Sequence, residues 1–181
     1  MSNDDPYAAV TPAPALAVRS DDLKHGEEMP LAFRDPQIGG TNTSPHLAWS
    51  GFPPQTQSFA LICYDPDAPT GTGFMHWAVA NVPNDVTTLP AGAGAIGGPM
   101  PASALTIPND LRMRQYIGPN PPPGSGRHRY VFVVHAVDVP ALEIDPDLTP
   151  VVLGFNLHFH TVARGSLTVW VDAVDGANTG D

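Results

Sequence analysis

Proline and glycine divide this chain into short apolar runs, which leaves little room for long helices. The 181 residues include 22 prolines and 17 glycines, and both residue types are unfavourable inside helices and central strands. Residues 58–64, 74–82 and 129–137 form runs of strand length, rich in β-branched and aromatic side chains. The run at 58–64 is apolar at nearly every position, so we expect a central strand that is buried on both faces.

Shorter strands are predicted on either side of these runs. Leu47 and Trp49 alternate as one face of a short strand does, and residues 16–20 and 166–171 also have the composition of strands. Residues 83–110 are rich in proline, glycine and asparagine, which predicts a long loop. The pattern as a whole therefore indicates a mostly-β protein.

One helix is predicted near the C-terminal end of the chain. Thr149 is a suitable N-cap, and Pro150 suits the first helical position. Arg164 is placed for the last turn, and Gly165 for the left-handed residue that ends a helix. With a further short turn, the prediction is one or two C-terminal helices.

The length and composition indicate a single domain. A chain of this size with 42% hydrophobic residues can bury a sizeable core. We predict a domain over residues 16–171, a flexible N-terminal arm over 1–15 and a flexible C-terminal tail over 172–181. The N-terminus lacks the pattern of a secretory signal, and no apolar run approaches the roughly 18 residues of a membrane span. These features predict a cytoplasmic protein.

The net charge of the chain limits the classes of partner that we expect it to bind. A formal net charge of −10 disfavours binding to nucleic acid or to an anionic membrane. Half of the eight lysine and arginine residues nevertheless lie close together in the sequence. This cluster is either a solvated edge or a local basic patch that attracts an anion, and it comprises Arg112, Arg114, Arg127 and Arg129.

Polar residues in and after the strands suggest a binding pocket. Asp65 directly follows the buried run, and His76 shares a strand face with small alanines that leave space above it. His128 and Tyr130 are two residues apart, so they share a face of their strand. A carboxylate, two imidazoles and a phenol that converge can hold a phosphate or carboxylate by charge-assisted hydrogen bonds. The competing interpretation is structural: Asp67 in particular can simply brace its turn.

Other chemistries fit these residues less well. A metal site from Asp65, His76 and His128 lacks the usual ligand spacings, so no metal is predicted. Ser125 lies in GSG rather than in a GxSxG elbow, which disfavours a serine hydrolase. Residues 92–97 match GxGxxG without a strand before or a helix after, so no nucleotide cofactor is expected. A hydrolase that uses Asp65 and His76 as a general-base pair on a small ester or phosphoester stays open as the alternative.

The motifs resemble those of the phosphatidylethanolamine-binding protein family, and in particular its bacterial Raf-kinase-inhibitor-like branch. The resemblance rests on DPDAP at 65–69, His76-Trp77 and GPNPPPGSGRHRYVF at 118–132. It implies a large central antiparallel sheet packed with a smaller sheet, followed by C-terminal helical structure. It also implies a small anion-binding pocket without a catalytic or metal role. The ligand-binding residues implied are Asp65, His76, His128 and Tyr130, with Pro69, Phe74, Gly118 and Pro122 on the walls.

The resemblance also carries expectations about function. It implies a binding protein for a phosphate or carboxylate headgroup rather than an enzyme, and possible roles in binding a phospholipid headgroup or regulating a kinase or protease. A homodimer is implied in the same way. The C-terminal end departs from the family pattern, because LTVWVDAVDG stands where members often have a Gly-x-Tyr strand. Whether the pocket is open at that end is a question for the structure.

Overall fold

The computed structural model describes Tyr7 and residues 10–174, so the predicted N-terminal arm and C-terminal tail lie partly outside the described residues. The described part contains one α-helix, α1 at Pro150–His160, and short 3₁₀ helices at Leu31–Phe33 and Pro36–Ile38. The strands are β1 Ala17–Arg19, β2 Leu47–Ser50, β3 Ser58–Asp65, β4 Phe74–Pro83, β5 Thr88–Leu89, β6 Leu105–Ile107, β7 Arg127–Val137 and β8 Thr161–Asp172.

The strands form two antiparallel sheets. The larger sheet has the order β6-β4-β3-β7-β8, and the smaller has the order β1-β2-β5. β3 lies at the centre of the larger sheet, paired with β4 on one side and with β7 on the other. The predicted fold class, mostly β with a large and a smaller sheet and a C-terminal helix, is confirmed.

Both faces of the larger sheet are buried, which accounts for the continuous apolar sequence of β3. One face packs against the smaller sheet, where Trp49 of β2 joins a cluster with Trp77 and Phe132. The opposite face packs against α1, where Leu153 and Leu157 of the helix meet Ile62 of β3. Alternate residues of each central strand therefore enter two different cores.

Two sequence predictions need correction. The helix ends at His160 instead of continuing to Arg164, because Thr161 and the residues after it pair with β7 as strand β8. Gly165 lies inside β8, where a Cβ atom would come within 2.1 Å of the Leu16 carbonyl oxygen, so glycine permits close approach of that chain and does not end a helix. The predicted loop at 83–110 contains β5 and β6, whose two and three residues are too few for a clear sequence signal.

The loop before β7 packs tightly on the residues that join and follow the two 3₁₀ helices. The Asp35 amide donates to the Pro119 carbonyl at 3.0 Å, and the Gly118 amide donates to the Asn42 side chain at 2.7 Å. A Cβ atom on Gly118 would lie 2.3 Å from the carbonyl carbon of Arg34. The absence of a side chain at Gly118 is thus a condition for this contact.

His135 is a titratable group in the core between β7 and α1. Its Nδ1 lies 3.0 Å from Thr161 Oγ1, whose own proton goes to the Leu157 carbonyl at 2.7 Å. The imidazole must therefore donate from Nδ1, and it stays neutral. Burial, helped by the charge of Arg164, lowers the pKa of His135 from 6.5 to about 3.

This burial predicts an acid-sensitive fold. Between about pH 6.5 and pH 3 the unfolded chain binds a proton at His135 that the folded protein does not, so the free energy of unfolding falls as the pH is lowered. The loss attributable to His135 is on the order of 4 kcal/mol across that window. Denaturant unfolding at several pH values should show a shallower decline for His135→Asn, which retains an N–H donor toward Thr161. The exposed control His158→Asn should keep the wild-type decline, and an equally steep decline for His135→Asn would contradict the assignment.

The packing at Gly118 predicts that an added methyl group destabilises the protein there but not at Gly154. Gly118→Ala should lower the free energy of unfolding by about 1–3 kcal/mol, because its Cβ meets the Arg34 backbone. Gly154→Ala is a matched control in α1, where a Cβ would meet no atom within 4 Å. In that control, the free energy of unfolding should rise by up to about 1 kcal/mol, because alanine has a higher helix propensity than glycine. Equal effects of the two substitutions in thermal or denaturant unfolding would rule out the proposed packing constraint.

Candidate functional site

A pocket of about 320 Å³ opens where β3 ends, β4 begins and β7 begins. The turn after β3 and the loop at 117–122 form its walls, so sequence segments far apart meet there. The structure brings together all the residues that the sequence analysis assigned to a ligand site, and they line this one pocket: Asp65, Pro69, Phe74, His76, Gly118, Pro122, His128 and Tyr130. Their role in binding a ligand stays a prediction.

Sequence reasoning missed part of the lining. Asp35 and Gln37, from the second 3₁₀ segment, reach the pocket together with Leu111, Ile117 and Asn120. These residues lie in loops without a motif of their own, and only the tertiary contact between the 3₁₀ segment and the 118–120 loop places them. No signal in the single sequence could have found them.

The buried carboxylate of Asp65 forms the floor of the pocket. Asp65 is only 3% exposed, and its Oδ2 lies 2.8 Å from His128 Nδ1. Its Oδ1 accepts the Asp67 amide proton at 2.8 Å, which closes the turn after β3. Tyr130 is hydrogen-bonded to the same carboxylate; burial raises the pKa of this phenol and the charge of Asp65 raises it further. A buried charge needs partners of this kind, and Asp65 has three.

His128 is held between Asp65 and a serine. Its Nε2 lies 2.8 Å from Ser125 Oγ, so both ring nitrogens have partners and the side chain is 1% exposed. Ser125 also lies 2.7 Å from the Pro122 carbonyl, within the turn that leads into β7. The sequence analysis set Ser125 aside because it lacked a GxSxG elbow. Its spacing three residues before a strand histidine is the signal that could have drawn attention to it.

His76 presents the one open ring nitrogen in the pocket. Its Nδ1 lies 2.9 Å from the Ile117 carbonyl, which can only accept, so Nδ1 carries the proton. Burial lowers the pKa of His76, and the neutral ring therefore has a lone pair at Nε2. Within the described part of the chain, Nε2 has no hydrogen-bond partner. The ring packs edge-to-face between Phe74 and Tyr130, at centroid distances of 4.9 and 5.1 Å.

The alternative of an Asp65–His76 general-base pair needs a correction. The carboxylate pairs with His128, and His76 pairs with a backbone carbonyl instead. Asp65 acts on His76 only through its charge, which opposes the larger effect of burial. The two histidines could not be told apart from sequence alone, because both lie on strands next to β3.

Three of the four arginines in the cluster form ion pairs, and Arg112 donates to the Asp147 carbonyl instead. Arg129 donates to Asp67 from its backbone amide and from Nε, at 2.9 and 2.8 Å, and these bonds hold the pKa of Asp67 below its usual value. Arg127 makes two hydrogen bonds to Asp172, at 2.7 and 2.9 Å. Arg114 contacts Asp147 at 2.6 Å. These pairs favour the structural interpretation over a basic patch, because the positive charges are matched by aspartates.

The described part of the divergent C-terminal segment, residues 167–174, does not line the pocket. β8 pairs with β7 along its whole length, up to Arg127 opposite Asp172. Trp170 of β8 lies under the Arg127 guanidinium, 3.5 Å from the ring centre, on the outer side of the strand pair. Strand β8 therefore leaves the pocket open at this side.

The described residues contain neither a cluster of metal ligands nor a membrane-spanning helix. No group of three or more histidine, cysteine, aspartate or glutamate side chains there is arranged to hold a metal ion. No helix in that part of the chain has the length and apolar character needed to cross a bilayer. The single cysteine, Cys63, is buried in β3 as a free thiol.

Several known proteins are similar to this chain in sequence and in fold. YbhB of Escherichia coli K12, a UPF0098 protein, is 43% identical over 151 residues, which cover 82% of this chain and 95% of YbhB. The crystal structure of E. coli YbcL, described as a new member of the mammalian PEBP family, superposes with a TM-score of 0.83 at 36% identity. That match covers 88% of this chain and 99% of YbcL.

A third relative bears on location. The putative lipoprotein LppC of Mycobacterium tuberculosis H37Rv is 34% identical over 146 residues, covering 79% of this chain and 65% of LppC. Because the name of this relative points to a lipid-anchored protein, the cytoplasmic location stays a prediction. The family model described as phosphatidylethanolamine-binding protein matches residues 19–171, which span nearly the whole described domain. This chain therefore belongs to the phosphatidylethanolamine-binding protein family.

Proposed function

We propose that this protein binds a small molecule through a phosphate or carboxylate group that contacts His76 in the pocket. The observation that supports this most directly is the buried imidazole with an open Nε2 in a cavity of about 320 Å³. The other polar groups of the floor, Asp65, His128 and Tyr130, already bond to one another. His76 is thus the side chain of the floor that is left to recognise a ligand.

Binding of an anion at this position requires a proton. Neutral His76 offers only a lone pair at Nε2, and an anion needs a donor. A bound phosphate or carboxylate favours the imidazolium form, which then donates from both ring nitrogens, to the ligand and to Ile117. The ligand and one proton therefore bind together. Asp65 assists, because its charge raises the pKa of His76 against the effect of burial.

The walls suit a headgroup rather than a long chain. Pro69, Phe74, Ile117 and Pro122 provide apolar surface close to the imidazole. The volume lies at the small end of the roughly 300–1,000 Å³ range of ligand pockets. A phospholipid headgroup or a phosphorylated side chain fits this size, with the remainder of the molecule outside. Three expectations that come from the family resemblance are part of the same proposal. They are regulation of a kinase or protease, formation of a homodimer, and a cytoplasmic location.

A second ligand chemistry is suggested by the charge of Asp65. This negative charge also attracts a ligand that carries an ammonium group, without displacing the hydrogen bonds that Asp65 already makes. Phosphoethanolamine contains both groups, whereas phosphate and ethanolamine contain one each. NMR titration with these three compounds separates the two modes. We expect saturable shifts near His76 with phosphate and phosphoethanolamine; saturation by ethanolamine alone would contradict recognition of the anion.

The requirement for a proton predicts a pH-dependent affinity. Since burial keeps free His76 neutral above its lowered pKa, the dissociation constant for phosphoethanolamine should rise by about tenfold per pH unit between pH 6.5 and 8. Calorimetry in buffers of different ionisation enthalpy should show uptake of about one proton per ligand. The phosphate group titrates near pH 6 itself, so a sulfonate analogue of constant charge serves as the reference ligand.

The matching variant is His76→Asn, whose amide retains a donor toward the Ile117 carbonyl but has no group at the position of Nε2. It should abolish both binding and proton uptake while it remains folded by circular dichroism. The surface variant His25→Asn should bind as the wild type does. Binding of the sulfonate with equal affinity from pH 5 to 8 would overturn the role of the imidazolium.

A further inference from the structure

An exposed hydroxyl is connected to the buried pair at the floor of the pocket. Ser125 Oγ lies 2.8 Å from His128 Nε2, and His128 Nδ1 lies 2.8 Å from Asp65 Oδ2. A serine, a histidine and a buried carboxylate, linked in this order through these two nitrogens, form the arrangement that activates serine in hydrolases of unrelated folds. We propose that Ser125 is a nucleophile that cleaves small carboxylic esters, with His128 as its general base and Asp65 as the group that orients the base.

The protonation pattern agrees with this assignment. Asp65 can only accept, so in the neutral ring the proton lies on His128 Nδ1 and the lone pair on Nε2, which faces the serine. In the structure the Ser125 hydroxyl donates to the Pro122 carbonyl at 2.7 Å, and His128 Nε2, 2.8 Å away, is the second acceptor within its reach. The hydroxyl can thus rotate from the carbonyl to Nε2 without movement of the backbone. This is the geometric requirement for a serine and its base.

The surroundings leave room for a substrate. Ser125 is exposed, so an ester can approach it from solvent. Ser125 lies outside the pocket lining, but its contacts Pro122 and His128 belong to that lining, so an ester at the hydroxyl lies beside the rim of the pocket. The amide of Gly126 follows the serine directly and has no backbone acceptor within the described residues. An amide in this position is a donor for the oxyanion in other serine hydrolases.

The reaction balances without any co-reactant except water. Ser125 Oγ attacks the ester carbonyl carbon as its proton moves to His128 Nε2, and the oxygen of the tetrahedral intermediate takes the negative charge. The bond to the leaving alkoxide breaks, and the alkoxide takes the proton from Nε2 and departs as an alcohol. Water then attacks the acyl-serine and gives a proton to Nε2. When the Oγ–carbon bond breaks, this proton returns to the serine and the carboxylic acid is released.

The inference does not depend on the anion site. His76 carries that proposal, whereas this one uses His128, whose nitrogens are both engaged with Asp65 and Ser125. The competing view is that Ser125 merely completes the hydrogen bonding of a buried histidine. The two views differ in one measurable property, because a hydroxyl with a structural role has no enhanced reactivity toward an electrophile.

The test is covalent labelling of the full chain with a fluorophosphonate probe, followed by peptide mass spectrometry, alongside hydrolysis of 4-nitrophenyl acetate. We expect one adduct, on Ser125, and its loss when the protein is unfolded in guanidinium before labelling. Ser125→Ala should remove the adduct and reduce ester hydrolysis at least about a hundredfold. Ser103→Ala, at an exposed serine in another turn, is the matched control and should retain both signals.

Labelling of Ser125 no greater than that of Ser103, or hydrolysis that survives in Ser125→Ala, would overturn the proposal. Because Ser125 is exposed, its replacement by alanine is compatible with the fold, and circular dichroism verifies this. Phosphoethanolamine titration of the wild type keeps the two proposals apart. If the wild type binds phosphoethanolamine but Ser125 is not labelled, only the nucleophile is ruled out; if Ser125 is labelled but the wild type does not bind, only the anion site is ruled out.

Discussion

The burial of the Asp65 carboxylate is the constraint on which the site depends. A charge that is 3% exposed costs several kcal/mol unless hydrogen bonds replace its water. The partners come from three places in the sequence: the amide of Asp67, the imidazole of His128 and the phenol of Tyr130. Each of these bonds fixes a separate element. The turn after β3 closes, β7 is brought into register beside β3, and the floor of the pocket becomes a single network.

A second ion pair ties the same elements together outside the floor. Asp67 accepts from the backbone amide and guanidinium of Arg129, so the turn after β3 is bonded to β7 at adjacent positions on both faces of that strand. Residues 128 and 129 point in opposite directions, one inward to Asp65 and the other outward to Asp67. The DPDAP turn therefore needs two aspartates two residues apart, because Asp65 meets the inward side of β7 and Asp67 meets its outward side. This pairing also explains why basic side chains cluster in a chain of strongly acidic composition.

Much of the fold was readable from the sequence, and the reasons are local. Residues 58–64, 74–82 and 129–137 gave three of the strands to within two residues at each end, since dense β-branched and aromatic runs leave few alternatives. β5 and β6 escaped prediction because strands of two and three residues carry too little pattern. The end of α1 was misplaced because Arg164 and Gly165 have the composition of a helix terminus, while pairing with β7 outweighs that local preference.

For the site, the sequence predicted which residues come together but not the role of each one. The order of the motifs brought the correct residues to one pocket, but the two histidines could be told apart only by their partners. A backbone carbonyl beside Nδ1 leaves His76 with an open nitrogen, and a carboxylate beside Nδ1 aims Nε2 of His128 at a serine. These choices also constrain one another, because a positive charge on His128 lowers the pKa of His76. An anion that recruits a proton to His76 is therefore bound best while His128 is uncharged, which is the state in which a lone pair faces Ser125.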